Sequence, residues 1–378
     1  MSFIRGSRLV TGRALPAIAG SSRSLTRPPC FRSLTSSIRE TSIVGFVGLG
    51  NMGLPMCLNM LRSQEGGPHT SVVAFDTNSD ALDFTVSEGA QAACSASDVG
   101  AAGCDVIFTV LPDGNVVEEV HSELLHGAIA NREAAGERSD RSTVFVDCST
   151  VGPATSRSVF AAADGAGYVM MDAPVSGGVK GAADGTLTFM VGSNKASLER
   201  IRPYLNKMGN AVIHCGGSGT GSATKLCNNL SLAAQMAGTC EAMNLGEALG
   251  IDPIMLANVM NEATAKCWSC DVDNPHPEVA QVRGMSPAAK RYEGGFASKL
   301  MLKDIGLAVE AARKENVAVP IGASTKLLYE MVDDKGLGGK DFGVLLQLLK
   351  QEASLLDTPL ASTSMKEIEP PSLVEKAA

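Results

Sequence analysis

The chain has 378 residues, of which 44% are hydrophobic and 19% charged, and its formal net charge is −8. That length can bury a large core and favours two domains, and 40 glycines in no G-X-Y period exclude a collagen-like or disordered chain. Residues 1–39 hold seven arginines and no Asp, Glu or Lys, so the rest sets 25 basic against 40 acidic residues, a net −15 that argues against a nucleic-acid binder.

Residues 1–40 are rich in Arg and Ser and free of acid until Glu40, the composition of a mitochondrial transit peptide, and the expected location is the matrix. Arg13 and Arg23 interrupt any apolar run that a secretory signal would need. The uncharged stretch Thr41 to Leu61 is long enough for a membrane span, but its glycines follow a more specific pattern, so no membrane partner is expected.

Ser42 to Val47 is an apolar, β-branched run, hence a buried strand. Gly48-Leu49-Gly50-Asn51-Met52-Gly53 follows it, and Pro55 to Leu61 reads as a helix. Further strands are predicted at 72–76, 106–111, 144–147, 168–173, 186–191 and 211–215, with helices between the earlier ones at 80–88 and 115–125. Residues 131–142 read as a polar surface insertion. Strands alternating with helices predict a mostly parallel sheet with helices on both faces. From Thr220 to Gly250 there is no proline and much Ala, Leu, Met and Glu, which predicts one helix of about 30 residues, about 45 Å long. Helical stretches follow, with the longest loop at 271–295 and a last helix at 341–350. The expected fold is therefore α/β: a Rossmann-type domain (41–217), then an all-helical domain (218–355) joined by the long helix, then a disordered tail (356–378).

Ten cysteines are too dilute for a disulfide framework, and the single CxxC of Cys267 and Cys270 lacks a second ligand pair, so no metal is expected. The GxGxxG between a strand and a helix is a dinucleotide fingerprint. Gly48 permits the turn, Gly50 lets the backbone approach the pyrophosphate, and Gly53 packs helix on strand. Asp76 ends the second strand, where a carboxylate can take the ribose hydroxyls and would repel a 2′-phosphate. Thr77 and Asn78 follow it and supply no arginine, so NAD is favoured over NADP. Leu111-Pro112 and Thr150 lie just past strand ends, where open α/β sheets bind ligands. Ser176-Gly177-Gly178 offers a hydroxyl and unobstructed backbone N–H groups suited to a small carboxylate, or an ordinary turn. Lys225 and Asn229 share a face of the long helix; by spacing alone that lysine reads as solvated surface.

Four motifs in order resemble the β-hydroxyacid dehydrogenase family over roughly residues 42–352: Gly48 to Met56, Asp172 to Gly181, Gly219-Thr220-Gly221 leading to Lys225 and Asn229, and Lys303-Asp304. Cys267-Trp268-Ser269 resembles the branch acting on 3-hydroxyisobutyrate. The resemblance implies that Lys225 is the general acid/base, that Asn229 orients the hydroxyl, and that Ser176, Gly177 and Gly178 hold the substrate carboxylate. It places Trp268 and Asp304 with the substrate, and Lys303 near the nicotinamide or substrate. The family often carries an amide side chain after Leu111-Pro112. Here the sequence is Asp113-Gly114-Asn115-Val116, and Asn115 is the candidate. The implied reaction is NAD-dependent oxidation of a small β-hydroxy acid, 3-hydroxyisobutyrate, in valine degradation, by a homodimer or homotetramer. The alternatives are a glyoxylate or succinate-semialdehyde reductase of the same family, and a catalytically inactive dinucleotide-binding module.

Overall fold

The computed structural model describes residues 41–62, 69–135, 143–284 and 286–355. The expected leader, most of the 131–142 insertion and the expected tail lie outside them. Among the described residues no helix is long and apolar enough to cross a membrane.

The first part alternates strand and helix: β1 (Thr41–Val47), α1 (Gly53–Arg62), β2 (His69–Phe75), α2 (Ser79–Ser87), β3 (Gln91–Ala92), α3 (Ala96–Ala101), β4 (Val106–Thr109), α4 (Gly114–Ala135), β5 (Val144–Asp147), α5 (Pro153–Gly165) and β6 (Val169–Asp172). Then come β7 (Val175–Ser176), α6 (Gly178–Asp184), β8 (Leu187–Gly192), α7 (Lys195–Leu205) and β9 (Gly209–Gly216). The sheet order is β3-β2-β1-β4-β5-β6-β8-β7, with β9 paired to β8. From β3 to β6 every pairing is parallel, whereas β8 runs antiparallel to β6 and β7.

Period-two burial explains the two helical layers. Val44 and Phe46 of β1, with Val106 and Phe108 of β4, pack one face against Met56 and Met60 of α1 and Leu198, Ile201 and Leu205 of α7. Ile43, Val47, Ile107 and Phe145 pack the other against Val99, Val117, Leu124 and Val159 from α3, α4 and α5. Burying side chains on both faces is why these strands read as continuous apolar runs.

The helical part begins with α8 (Thr220–Ala248), a single 29-residue helix as the sequence predicted. It continues through α9 (Pro253–Glu262), α10 (Trp268–Asp271), α11 (Pro277–Arg283), α12 (Ser298–Lys314), α13 (Pro320–Asp334) and α14 (Leu345–Leu355). Its core joins Ala233, Met236, Cys240 and Met243 of α8 to Met301, Ile305, Tyr329, Val332, Leu345 and Leu346.

One sequence expectation is corrected. Residues 271–295 are not one loop: they contain α11 and a 3-10 turn at Pro287–Lys290, and Pro277 and Pro287 each start an element instead of breaking one. Asn131 to Ala135, the described start of the expected insertion, are the last residues of α4.

Candidate active site

The turn between β1 and α1 is built by exclusion. Gly48 has φ +93°, and a Cβ there would lie 2.2 Å from the Val110 carbonyl oxygen. A Cβ on Gly53 would lie 1.9 Å from the Gly48 carbonyl oxygen, so only glycine lets the helix start this close to the strand. Gly50 is the opposite case: it is exposed, and nothing lies within 4 Å of its Cβ position. An open, side-chain-free backbone at the start of a ten-residue helix fits a pyrophosphate, which draws on free N–H groups and the helix dipole. Leu49, Asn51 and Met52 complete this turn; Leu49 is buried, Met52 is half-buried and Asn51 is exposed.

Asp76 closes the turn from below. Its Oδ2 accepts a hydrogen bond from the Leu49 N–H, and its Oδ1 accepts one from the Asn78 N–H at 2.6 Å. The carboxylate is half-exposed at the end of β2, so it fixes the glycine turn while a lone pair on each oxygen stays available to a ribose. That first role was not read from the sequence.

A second cluster forms where α8 and α12 meet the ends of β4 and β5. Lys225 is 8% exposed, and its amine makes no hydrogen bond or ion pair among the described residues. One turn on, the buried Asn229 donates from Nδ2 to Asp304 Oδ2 at 2.6 Å. Beside Asp304, Lys303 donates to the carbonyl oxygens of Thr150 at 2.8 Å and Pro112 at 3.3 Å, and its Nζ stands 3.4 Å from Asp304 Oδ1. Burial pushes the Lys225 amine below the ordinary lysine range, Lys303 lowers it further, and Asp304 opposes both. Burial likewise raises the Asp304 carboxyl, against the pull of Lys303, Lys225 and Asn229. Lys225 is therefore not the solvated surface lysine that spacing alone suggested. Its amine is unpaired among the described residues, on a largely buried side chain, and is shifted toward the neutral form, the direction a proton acceptor near neutral pH needs.

The start of α8 is held to the sheet by Asp172, at the end of β6. Its Oδ1 accepts from the Gly219 N–H and its Oδ2 from the Ser222 N–H, each at 2.7 Å. Gly221 lets the helix approach the Met190 carbonyl, which a Cβ would meet at 2.2 Å, and the Ser222 and Ser156 hydroxyls bond at 2.7 Å. Asp172, which in sequence opens the second of the four family motifs, thus belongs to the anchor of the helix start one turn before Lys225.

Other expected residues are less closely joined. Ser176 pairs with Thr188 in β7–β8, and Gly177 and Gly178, at φ +136° and +63°, turn the exposed chain into the short α6. Leu111 and Pro112 lead into α4, whose first turn is capped by the Asp113 carboxylate at the N–H groups of Asn115 and Val116, 2.9 and 3.1 Å away. Asn115 is exposed there, in the first turn of α4 three residues after Pro112, whose carbonyl helps to hold Lys303. Trp268 is 48% exposed and stacks on Phe342, with ring centroids 6.5 Å apart. Its neighbour Cys267 lies 3.7 Å from Thr239, fourteen residues past Lys225, a separation of about 21 Å along a helix. No hydrogen bond or ring contact among the described residues joins Trp268 to the lysine cluster.

Comparison with known proteins shows the family to which this fold belongs. Residues 43–217 match the NAD-binding domain of 6-phosphogluconate dehydrogenase, and residues 219–349 match the NAD-binding family of NADP-dependent 3-hydroxyisobutyrate dehydrogenase. Human mitochondrial 3-hydroxyisobutyrate dehydrogenase is 38% identical over 348 residues, covering 92% of this chain and 96% of its own. The chain belongs to the β-hydroxyacid dehydrogenase family. It is an NAD-dependent oxidoreductase, which sets aside the inactive-module alternative. The NAD-dependent L-serine dehydrogenase of Pseudomonas aeruginosa is 40% identical over 305 residues, covering 81% of this chain and 97% of its own. The structure of Mycobacterium tuberculosis 3-hydroxyisobutyrate dehydrogenase with L-serine superposes with a TM-score of 0.73 at 36% identity, over 82% of this chain and 99% of that one.

Within this β-hydroxyacid dehydrogenase, sequence reading missed the buried polar network beneath the two loops that hold Lys303: Thr109, His121, Asp147 and Ser149. The only available signal was an Asp followed two residues later by a Ser at the end of an apolar strand.

Proposed function

We propose that the chain oxidises 3-hydroxyisobutyrate to methylmalonate semialdehyde with NAD, a step of valine breakdown, using Lys225 as general acid/base. The observation that carries this reading is the buried, unpaired Lys225 amine beside the Asn229–Asp304–Lys303 cluster. In oxidation the neutral Lys225 Nζ takes the proton of the substrate hydroxyl, and in reduction the ammonium returns it to the carbonyl oxygen. Asn229, held by Asp304, orients that oxygen. Ser176, Gly177 and Gly178 hold the carboxylate, and Trp268 borders the substrate's path. The turn Gly48 to Gly53 holds the pyrophosphate, Asp76 the ribose, and Leu111, Pro112, Asn115, Thr150 and Lys303 surround the nicotinamide. When bound, NAD supplies the hydride acceptor.

The choice of substrate draws support from charge. The cluster contains two lysines and one carboxylate, and that carboxylate already serves Asn229 and Lys303. A monoanionic acid with a methyl at C2 suits this balance, whereas the ammonium of L-serine adds like charge to it. L-serine remains the second reading, favoured by the 40% identical bacterial relative. The test is kcat/KM for 3-hydroxyisobutyrate, 3-hydroxypropionate, L-serine and 4-hydroxybutyrate, each with NAD and NADP. A preference for L-serine would move the protein to the second reading; a preference for 4-hydroxybutyrate or for NADP would overturn both.

The same reading places the enzyme in mitochondria, supported by the Arg- and Ser-rich residues 1–40 and the mitochondrial relatives. Import of a reporter carrying those residues tests it. A homodimer or homotetramer is supported by exposed Leu245, Leu249, Ile321 and Leu327 on the helical part, and light scattering would give a single-chain mass if this were wrong.

A further inference from the structure

We propose that Asp147 and Ser149 are positioning residues that act on proton transfer through Lys303, by fixing the two loop carbonyls that hold its ammonium. This rests on the reading of Lys225 as the acid/base. Strands β4 and β5 end level with each other, Thr109 opposite Asp147. Asp147 is 1% exposed, and its Oδ1 accepts three hydrogen bonds: from Thr109 Oγ1 at 2.9 Å, Ser149 Oγ at 2.5 Å and Ser149 N–H at 3.1 Å. The Ser149 hydroxyl, having donated its proton to Asp147, accepts from the Leu111 N–H at 2.8 Å. One carboxyl oxygen therefore ties down the second residue of both loops, Ser149 directly and Leu111 through the Ser149 hydroxyl. The next residue in each loop, Pro112 and Thr150, presents the carbonyl oxygen on which Lys303 Nζ rests.

The network is complete in its protons. Thr109 donates its only hydroxyl proton to Asp147, so the bond at 3.0 Å between Thr109 Oγ1 and His121 Nε2 has the imidazole as donor. Burial lowers the tendency of His121 to take a second proton, and its ring stands edge-on to Phe145. The other oxygen, Asp147 Oδ2, is buried without a partner among the described residues. A half-paired buried carboxyl is a poor way to stabilise a strand end, where an apolar side chain would cost less. Its gain lies in what Oδ1 organises. Holding Lys303 in place keeps a positive charge near Lys225, and that charge favours the neutral amine.

The experiment compares the pH dependence of oxidation kcat/KM in the wild type, Ser149→Ala, Asp147→Ala, Asp147→Asn, Lys303→Met and the double variant Ser149→Ala/Lys303→Met. In Ser149→Ala and Asp147→Ala the loops loosen and the acid limb moves to higher pH by about half a unit, roughly a threefold lower rate at fixed pH below the limb. Asp147→Asn keeps a carbonyl acceptor in place of Oδ1 and stays near the wild-type limb. Lys303→Met moves the limb in the same direction, and in that background Ser149→Ala adds nothing, because its effect travels through the missing ammonium. If Asp147→Ala does not fold, Ser149→Ala and the double variant decide alone. A wild-type limb in Ser149→Ala, or its full effect persisting without Lys303, overturns the proposal. If Lys303→Met itself leaves the limb in place, the underlying reading of the lysine pair fails, and this inference with it.

Discussion

Gly50 and Gly53 stand three residues apart in one turn, and the structure assigns them opposite consequences on substitution. An alanine at Gly50 meets no atom within 4 Å, so the fold should tolerate it to within about 0.5 kcal/mol. The methyl would, however, occupy the space through which the pyrophosphate approaches the backbone. Losing two charge-assisted N–H bonds at the low end of about 1.5 kcal/mol each removes about 3 kcal/mol, roughly a hundredfold in Kd. An alanine at Gly53 would place its Cβ 1.9 Å from the Gly48 carbonyl, more than 1 Å inside van der Waals contact, and must push α1 off β1. A cost of about 2–3 kcal/mol in stability is expected there, in the range of overpacked cores. Urea unfolding and fluorescence titration with NADH separate the two. Gly50→Ala should be as stable as the wild type and bind NADH poorly, while Gly53→Ala should be less stable. Wild-type NADH affinity in Gly50→Ala would refute the cradle, and a large loss of stability in that variant would refute the steric argument.

Two further outcomes follow from the site. Asp304→Asn removes the charge that raises the Lys225 amine while leaving an amide oxygen for Asn229, so the acid limb of oxidation should move to lower pH, opposite to Lys303→Met; pH–rate profiles check the sign. Asp172→Ala leaves the Gly219 and Ser222 N–H groups unpaired at the buried start of α8; at about 1–3 kcal/mol for each orphaned group, urea unfolding should show a loss of about 2–6 kcal/mol, and a loss below 1 kcal/mol would contradict the anchoring role.

The architecture was legible because its signals are local. Strands buried on both faces gave apolar runs that periodicity could find, and α8 showed itself by composition over 29 residues. What escaped depends on tertiary context. The two-residue strands β3 and β7 carry too few positions for a period. The segment 271–295 has Pro275, Pro277 and Pro287, which read as breakers, yet Pro277 and Pro287 occupy first-turn positions where a missing N–H costs nothing.

The candidate site divides the same way. Lys225, Asn229, Lys303 and Asp304 were named on resemblance, and the fold brings these four together across 78 residues of sequence between Lys225 and Lys303. Their burial, which lowers the pKa of a lysine that reads as surface in sequence, is a property of α12 packing on α8 and has no signature in the local sequence. Asp76 was assigned to the ribose and Asp172 only marked the start of a family motif, and each is a clamp on backbone N–H groups. A carboxylate at the carboxyl end of a strand reads the same in sequence whether it faces a ligand or a helix start.

The central claim is that Lys225 carries the proton during hydride transfer, and replacing it with methionine tests this most directly. The buried stem is kept and the amine is lost, so NADH affinity, measured by fluorescence, should stay within about threefold of the wild type. The rate of NADH formation from 3-hydroxyisobutyrate in a single turnover should fall by about 10²–10⁴-fold, the usual worth of a positioned acid/base, and its acid limb should vanish. A rate within tenfold of wild type, with the same acid limb, would show that another group moves the proton and would contradict the account.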